Sequence, residues 1–181
     1  MKLIVLLSLI LFINSAQAWQ KIDGSGQAVP ARSGPWSCVA QGDLLWEVKG
    51  LTDDYLHYKN TYSWYQQERG TANRGSCQNV NQFIGCDTQD LIDHLNTTNR
   101  CGRSNWRLPT VAELTGLLDD ATTPGGPLIN SYLFPRTVQG PYWTQTMAQR
   151  EPLVVNFKDG QVYPLGSNRP AWLRLVSSAQ E

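Results

Sequence analysis

Four cysteines, two histidines, scattered carboxylates and a heavy load of tryptophan and tyrosine carry the chemistry available to this 181-residue chain. Cys38, Cys77, Cys86 and Cys101 lack any C-x2-C spacing, and neither His57 nor His94 lies beside a cysteine pair, so no zinc site is indicated. An even cysteine count in an exported chain reads as two disulfides. Of the three connectivities, Cys86–Cys101 with Cys38–Cys77 is preferred. Cys86 and Cys101 bracket a short helix, whose span of roughly 15 Å the flanking residues can just fold back. The reach is taut, so Cys77–Cys86 with Cys38–Cys101 stays open. Asp90 and His94 stand four apart and can pair on a helix surface. No carboxylate spacing marks a general acid and base, and no serine sits in a G-x-S-x-G turn. Asp53-Asp54 and Asp119-Asp120 read as a turn and a helix end rather than halves of an oxygen cage. No catalytic residue, metal or cofactor is expected. Arg100, Arg103 and Arg107 are close enough to grip a sulfate or phosphate, or to pair with Asp87, Asp90 or Asp93. Arg107 and Arg174 are expected to be structural ions.

The expectation of disulfides rests on the N-terminus. Lys2, an apolar run over Leu3 to Ile13 and the small-x-small triplet Ala16-Gln17-Ala18 make a cleavable signal peptide over residues 1–18, with Trp19 first in the mature chain. The apolar run is shorter than the roughly 20 residues a bilayer core demands, and no later segment reads as a membrane span. Without Lys2, 15 basic residues become 14 against 15 acidic ones, net −1. No global field draws such a chain to nucleic acid or to an acidic membrane. Export to the periplasm or the extracellular space is expected.

Residues 19–35, rich in Gly, Ser, Ala and Pro, read as a flexible leader to one domain over 36–177, with 178–181 as a tail. Leu44 to Lys49 reads as a strand, Asn60 to Tyr65 as an extended stretch, and Gln66 to Gln82 as a stapled polar loop. A first helix is expected over Thr88 to Thr98, capped by Asp87, with Leu91, Ile92 and Leu95 on one face. Thr110 and Glu113 have capping-box spacing, opening a second helix with a stripe of Val111, Leu114, Leu117 and Leu118. A long Gly-Pro loop covers 119–141. Strands resume at Tyr142 to Thr146, Leu153 to Lys158, Gln161 to Leu165 and Ala171 to Val176. Asp159-Gly160 predicts a two-residue hairpin turn that sets Phe157 opposite Val162 and Asn156 opposite Tyr163. Helices segregated on an antiparallel sheet make an α+β domain.

SNWRLPTVAELTGLLD resembles the helix-opening signature of the Lcl C-terminal domain family, named for the Legionella collagen-like adhesin. LLWEVKG, NTYSWY, CDTQDLIDHLN, YWTQT, VVNFKDGQVYPL and WLRLV extend the resemblance over Cys38 to Val176. It implies a C-type-lectin-like fold, shared distantly with formylglycine-generating enzymes, with two helices, long loops and disulfide staples. In the adhesin the domain binds sulfated glycosaminoglycans and the protein trimerises. This chain has no collagen-like tract, and its charge balance is not that of a polyanion binder. The calcium-loop triplets of C-type lectins are absent: Glu151-Pro152 is followed by Leu153, which cannot ligate.

The resemblance implies a ligand face near the long loop. Trp143, Asn168, Arg169 and Trp172 are the candidate contact residues, with Trp143 and Trp172 as core strand residues the competing reading. Trp46 and Trp106, inside the family's structural motifs, are expected in the core. The function implied is a non-catalytic recognition domain in adhesion or envelope assembly. It would bind a glycan, a polysaccharide or a cell-surface protein, with homo-oligomerisation open. An enzyme on the formylglycine-generating scaffold and a structural subunit of a pilus or surface complex are the alternatives.

Overall fold

The computed structural model describes residues 18–30, 34–52, 54–79, 82–120 and 124–178. The expected leader up to Gln17, Asp53 and the tail beyond Ser178 lie outside the described residues. Four strands open the chain: β1 (Gln20–Ile22), β2 (Ala28–Val29), β3 (Cys38–Gln41) and β4 (Leu44–Glu47). Two hairpins follow, β5 (Tyr65–Gln66) with β6 (Arg69–Gly70), and β7 (Cys77–Asn79) with β8 (Gln82–Ile84). Helix α1 (Thr88–Thr97), strand β9 (Trp106–Arg107) and helix α2 (Val111–Thr115) come next. Strands β10 (Pro141–Ala148), β11 (Glu151–Asn156), β12 (Val162–Pro164) and β13 (Val176–Ser178) complete the order. The main sheet runs β2-β1-β3-β4-β13-β9 with every pairing antiparallel, so the first and last strands share one sheet. β10-β11-β12 form a second antiparallel sheet. The class is α+β, as expected.

Both faces of the main sheet are covered, and the strand sequences show why. Successive residues point to opposite faces. Cys38, Leu45 and Leu175 join the core cluster under α1, which includes Leu91, Leu95, Trp106 and Trp143. Their neighbours Val39, Trp46 and Val176 join the other cluster, with Leu114, Ile129, Phe134 and Phe157. A strand buried on both sides must be apolar nearly throughout, which explains LLWEV and LRLV. Trp46 and Trp106 are core residues, 1% and 2% exposed.

Local capping fixes the helix starts. Asp87 accepts from the amides of Gln89 and Asp90 at 2.9 and 3.3 Å, and its own amide donates to Asp90 Oδ2 at 2.9 Å. That capping box occupies Asp90, and His94 instead packs its ring on Tyr55, 4.8 Å between centroids. The surface pair Asp90–His94 is therefore not formed. Thr110 and Glu113 form the second capping box. α2 is shorter than its apolar stripe suggests. It ends at Thr115 with Gly116 as its cap, and Leu117 and Leu118 follow in a tightened turn, their amides bonded three residues back.

Three expectations are corrected. The disulfides are Cys38–Cys101 and Cys77–Cys86, with no free cysteine, rather than Cys86–Cys101 with Cys38–Cys77. Cys77 opens β7 and pairs with Ile84 at the end of β8, so the antiparallel hairpin brings Cys86, two residues further on, back beside Cys77. Cys101, in a left-handed conformation just after α1 (φ 52°), reaches the sheet at Cys38 instead. Second, residues 19–35 are not all a loose leader. Gln20–Ile22 and Ala28–Val29 extend the main sheet, and Lys21 and Ile22 are buried. Third, the β11–β12 register differs from that of a two-residue turn. Val155 faces Val162 and Val154 faces Tyr163. Phe157 leaves the ladder because its ring is fully buried, while its amide donates to Gly140 O and its carbonyl accepts from Leu128 N. Four residues then make the turn, closed by Gly160 at φ 74°.

Candidate functional site

Two hairpin tips and one loop converge beside the second sheet. The first tip is Gln67-Glu68 between β5 and β6, with φ of 48° and 62°. A two-residue hairpin with both central residues at positive φ normally uses Asn-Gly, because a side chain costs about 1–2 kcal/mol per residue there. Neither residue here is glycine or asparagine. The second tip, between Ala148 and Glu151, holds Gln149 at φ 56°. Residues 165–170 form the third wall. It is tied to both hairpins: Leu165 N donates to Pro152 O, and Trp64 N donates to Ser167 O, at 3.0 and 2.9 Å.

The floor between these walls is rigid. Trp64 is 4% exposed, and its indole N–H donates to Thr144 O at 3.0 Å. The β5–β6 hairpin closes over it only because residue 70 is glycine. A Cβ there would lie 2.3 Å from Trp64 O and 2.7 Å from its ring. Thr71 Oγ1 and Ser167 Oγ share a hydrogen bond of 2.9 Å. Above this floor lie two adjoining hollows of about 240 and 220 Å³ that share Trp64, Arg69 and Met147. Gln66, Gln67 and Gln145 line one; Gln149, Arg150 and Ser167 line the other. The polar side chains of the lining are four amides, two guanidiniums and the Ser167 hydroxyl, beside the apolar Trp64, Met147 and Pro152. Amides present a donor and an acceptor side by side, and guanidinium presents a planar fork of donors. Such a cleft can hydrogen-bond a polyhydroxyl ligand.

The four candidate contact residues do not come together. Trp143 is fully buried, and its indole N–H donates to Tyr62 O at 2.7 Å, so it has no surface to offer a ligand. Trp172 is half-buried and packs into the second core cluster against Tyr142. Asn168 and Arg169 are exposed, on the same loop as Ser167 at the rim of the cleft. Nor do the three arginines near α1 form one site. Arg107 is committed to Glu113 through two bonds of 2.9 and 2.7 Å. That fork holds the Glu113 carboxyl below the usual carboxylate range and raises Arg107. Arg174 is fully buried, donating to Glu47 O and Thr137 Oγ1 at 2.8 Å and lying 4.6 Å over the Phe134 ring. Among the described residues no three of His, Cys, Asp and Glu converge as a metal site, and no helix is long and apolar enough to cross a membrane.

Gln66, Gln67, Arg69, Gln145, Gln149 and Arg150 were missed by sequence reasoning. A signal was there. QQER and QTMAQRE carry the same amide-plus-arginine composition, and each sits at the end of a hairpin. A family model described as the Lcl C-terminal domain matches residues 40–177, most of the chain. No curated protein and no solved structure matches it.

Proposed function

The chain belongs to the Lcl C-terminal domain family, and from that premise we propose that it is a non-catalytic recognition domain that binds a glycan or polysaccharide. The observation that carries this reading is the amide- and guanidinium-lined cleft at the two strained hairpin tips. Strained non-glycine residues persist where the surrounding structure over-determines them, and they cluster at binding sites. Gln67 and Gln149, both at positive φ, line the cleft. The family is adhesin-associated, which supports a role in adhesion or envelope assembly. Its implied C-type-lectin-like fold is supported by an antiparallel sheet holding both ends of the domain, two helices and a long loop region.

Two disulfides fit an exported protein. We place it in the periplasm or outside the cell. All four cysteines are paired, so a thiol-dependent reaction on this scaffold has no thiolate to use. The test is the protein beginning at Trp19 on a glycan array at low and high salt. Binding to a restricted set of glycans that survives moderate salt is expected, because neutral hydrogen bonds dominate the cleft. No glycan signal even at low salt contradicts the reading.

A further inference from the structure

A groove of about 610 Å³ lies against the first strand, away from any residue of the cleft described above. Residues 18–21, Val29, Pro30, Tyr132 and Leu133 line it. Its size is that of a site for a small ligand or a chain end. Lys21 is 5% exposed, with its ammonium 3.4 Å from the Trp36 ring centroid and 3.9 Å from that of Tyr132. Trp36 is fixed by its indole N–H, which donates to Leu133 O at 2.9 Å, and Trp19 packs edge-on against Phe134. Neither ion pair among the described residues involves Lys21. Ring faces attract its cation without neutralising it, and the lining contains no acidic residue.

We propose that this groove captures the free C-terminus of a partner polypeptide ending in an apolar residue, and that removal of the leader completes it. The second half rests on the reading of residues 1–18 as a signal peptide. Hydrolysis of the Ala18–Trp19 amide consumes one water. The new carboxylate departs on Ala18, and the new amino group stays on Trp19, mostly protonated at neutral pH because its ordinary pKa is about 7.7–8.0. Ala18 itself lines the groove, so its loss also opens space there. Among the described residues, the mature groove then holds two cations and no anion. A carboxylate satisfies that charge, and an apolar terminal side chain fits the Trp19, Val29, Pro30 and Leu133 walls. A sugar fits less well, because among the described lining residues Gln20 is the one amide side chain available to its ring hydroxyls. β2 is the outermost described strand of the main sheet and its Val29 lines the groove, so an extended peptide can lie beside that edge.

The probe is fluorescein-labelled Gly-Gly-Ser-Gly-Phe with a free carboxylate. It is compared with its C-terminal amide and with N-acetylphenylalanine, on proteins starting at Trp19 and at Ala18. The free-acid peptide should bind the Trp19 form at least about tenfold more tightly than its amide, the loss typical of one charge-assisted hydrogen bond. The Ala18 form should bind it more weakly. Tyr132→Ala, at a side chain 63% exposed, should weaken binding of the free-acid peptide while the far-UV circular dichroism spectrum is retained. Equal binding of acid and amide, or no binding up to about 1 mM, overturns the proposal. N-acetylphenylalanine binding as tightly as the peptide overturns the polypeptide source. An exported protein whose first residue is not Trp19 overturns the processing step. Peptide and glycan binding are read separately, so failure of either leaves the other standing.

Discussion

Glu47 and Lys49 are two residues apart, and their side chains meet at 2.8 Å with 0% and 4% exposure. Burial lowers the Lys49 pKa, the neighbouring Glu47 carboxylate opposes that shift, and the Arg174 guanidinium adds to it. Glu47 is the carboxylate in contact with Lys49, Asp54 adds a smaller attraction, and Arg174 repels it. Removing Glu47 takes from Lys49 and Arg174 the buried carboxylate they share, whereas removing Lys49 leaves Glu47 facing Arg174. Glu47→Leu should therefore cost roughly 3–5 kcal/mol, and Lys49→Met distinctly less, as read by urea unfolding. Equal losses would show that Arg174 does not feel Glu47. At Arg107 and Glu113 the sign runs with pH. The Glu113 pKa is lowered from 4.5, so this pair stabilises fully above that value and its contribution is lost as pH falls through the lower folded value. The urea midpoint of the wild type should drop below about pH 4.5 more steeply than that of Glu113→Gln. A structural role for Arg107 was expected from the sequence, but its partner was not: the expected acids were Asp87, Asp90 or Asp93, and the guanidinium instead grips Glu113 of the adjoining capping box. The Glu47–Lys49 pair was not. In LLWEVK those charges look like a solvent-facing alternation, and only the cover on both sheet faces buries them.

Secondary-structure elements were legible where their signals are local. Asp87 and Thr110 cap helices within three residues of themselves, and both helices start where the sequence puts them. Pairings that depend on distant packing were not legible. Phe157 is drawn out of its hairpin by the core, and the path of Cys101 to Cys38 depends on where α1 lies against the sheet. The two disulfides close loops of very different length, with sequence separations of 63 and 9. Chain-entropy reasoning gives roughly 4 kcal/mol for the longer loop and about 2.5 for the shorter. Replacing Cys38 and Cys101 with alanine should lower the melting temperature more than replacing Cys77 and Cys86. At the β5–β6 tip, Glu68→Gly should relieve a positive φ and stabilise by about 1 kcal/mol, seen as a higher melting temperature. An unchanged or lower value would mean the turn is not strained. Nothing in QQER announces that strain, because the turn lacks the glycine that usually marks it.

At the scale of the whole molecule, one antiparallel sheet carries both ends of the domain, while the middle of the chain builds the helices, the second sheet and the loops that wall the cleft. The family and the α+β class were legible in the ordered motifs from LLWEVKG to WLRLV. The fate of the four candidate contact residues was not legible. Asn168 and Arg169 are exposed on the loop that follows Ser167, but Trp143 belongs to the core, because a tryptophan beside a loop carries no mark of which way it faces. The central claim is that glycan is held by the amide and guanidinium cleft. Its most direct test is surface plasmon resonance of the strongest array ligand on the wild type and on Gln67→Ala/Arg150→Ala. Loss of two hydrogen-bonding side chains should weaken binding about tenfold or more with the melting temperature preserved. Unchanged affinity in the double variant would contradict the account.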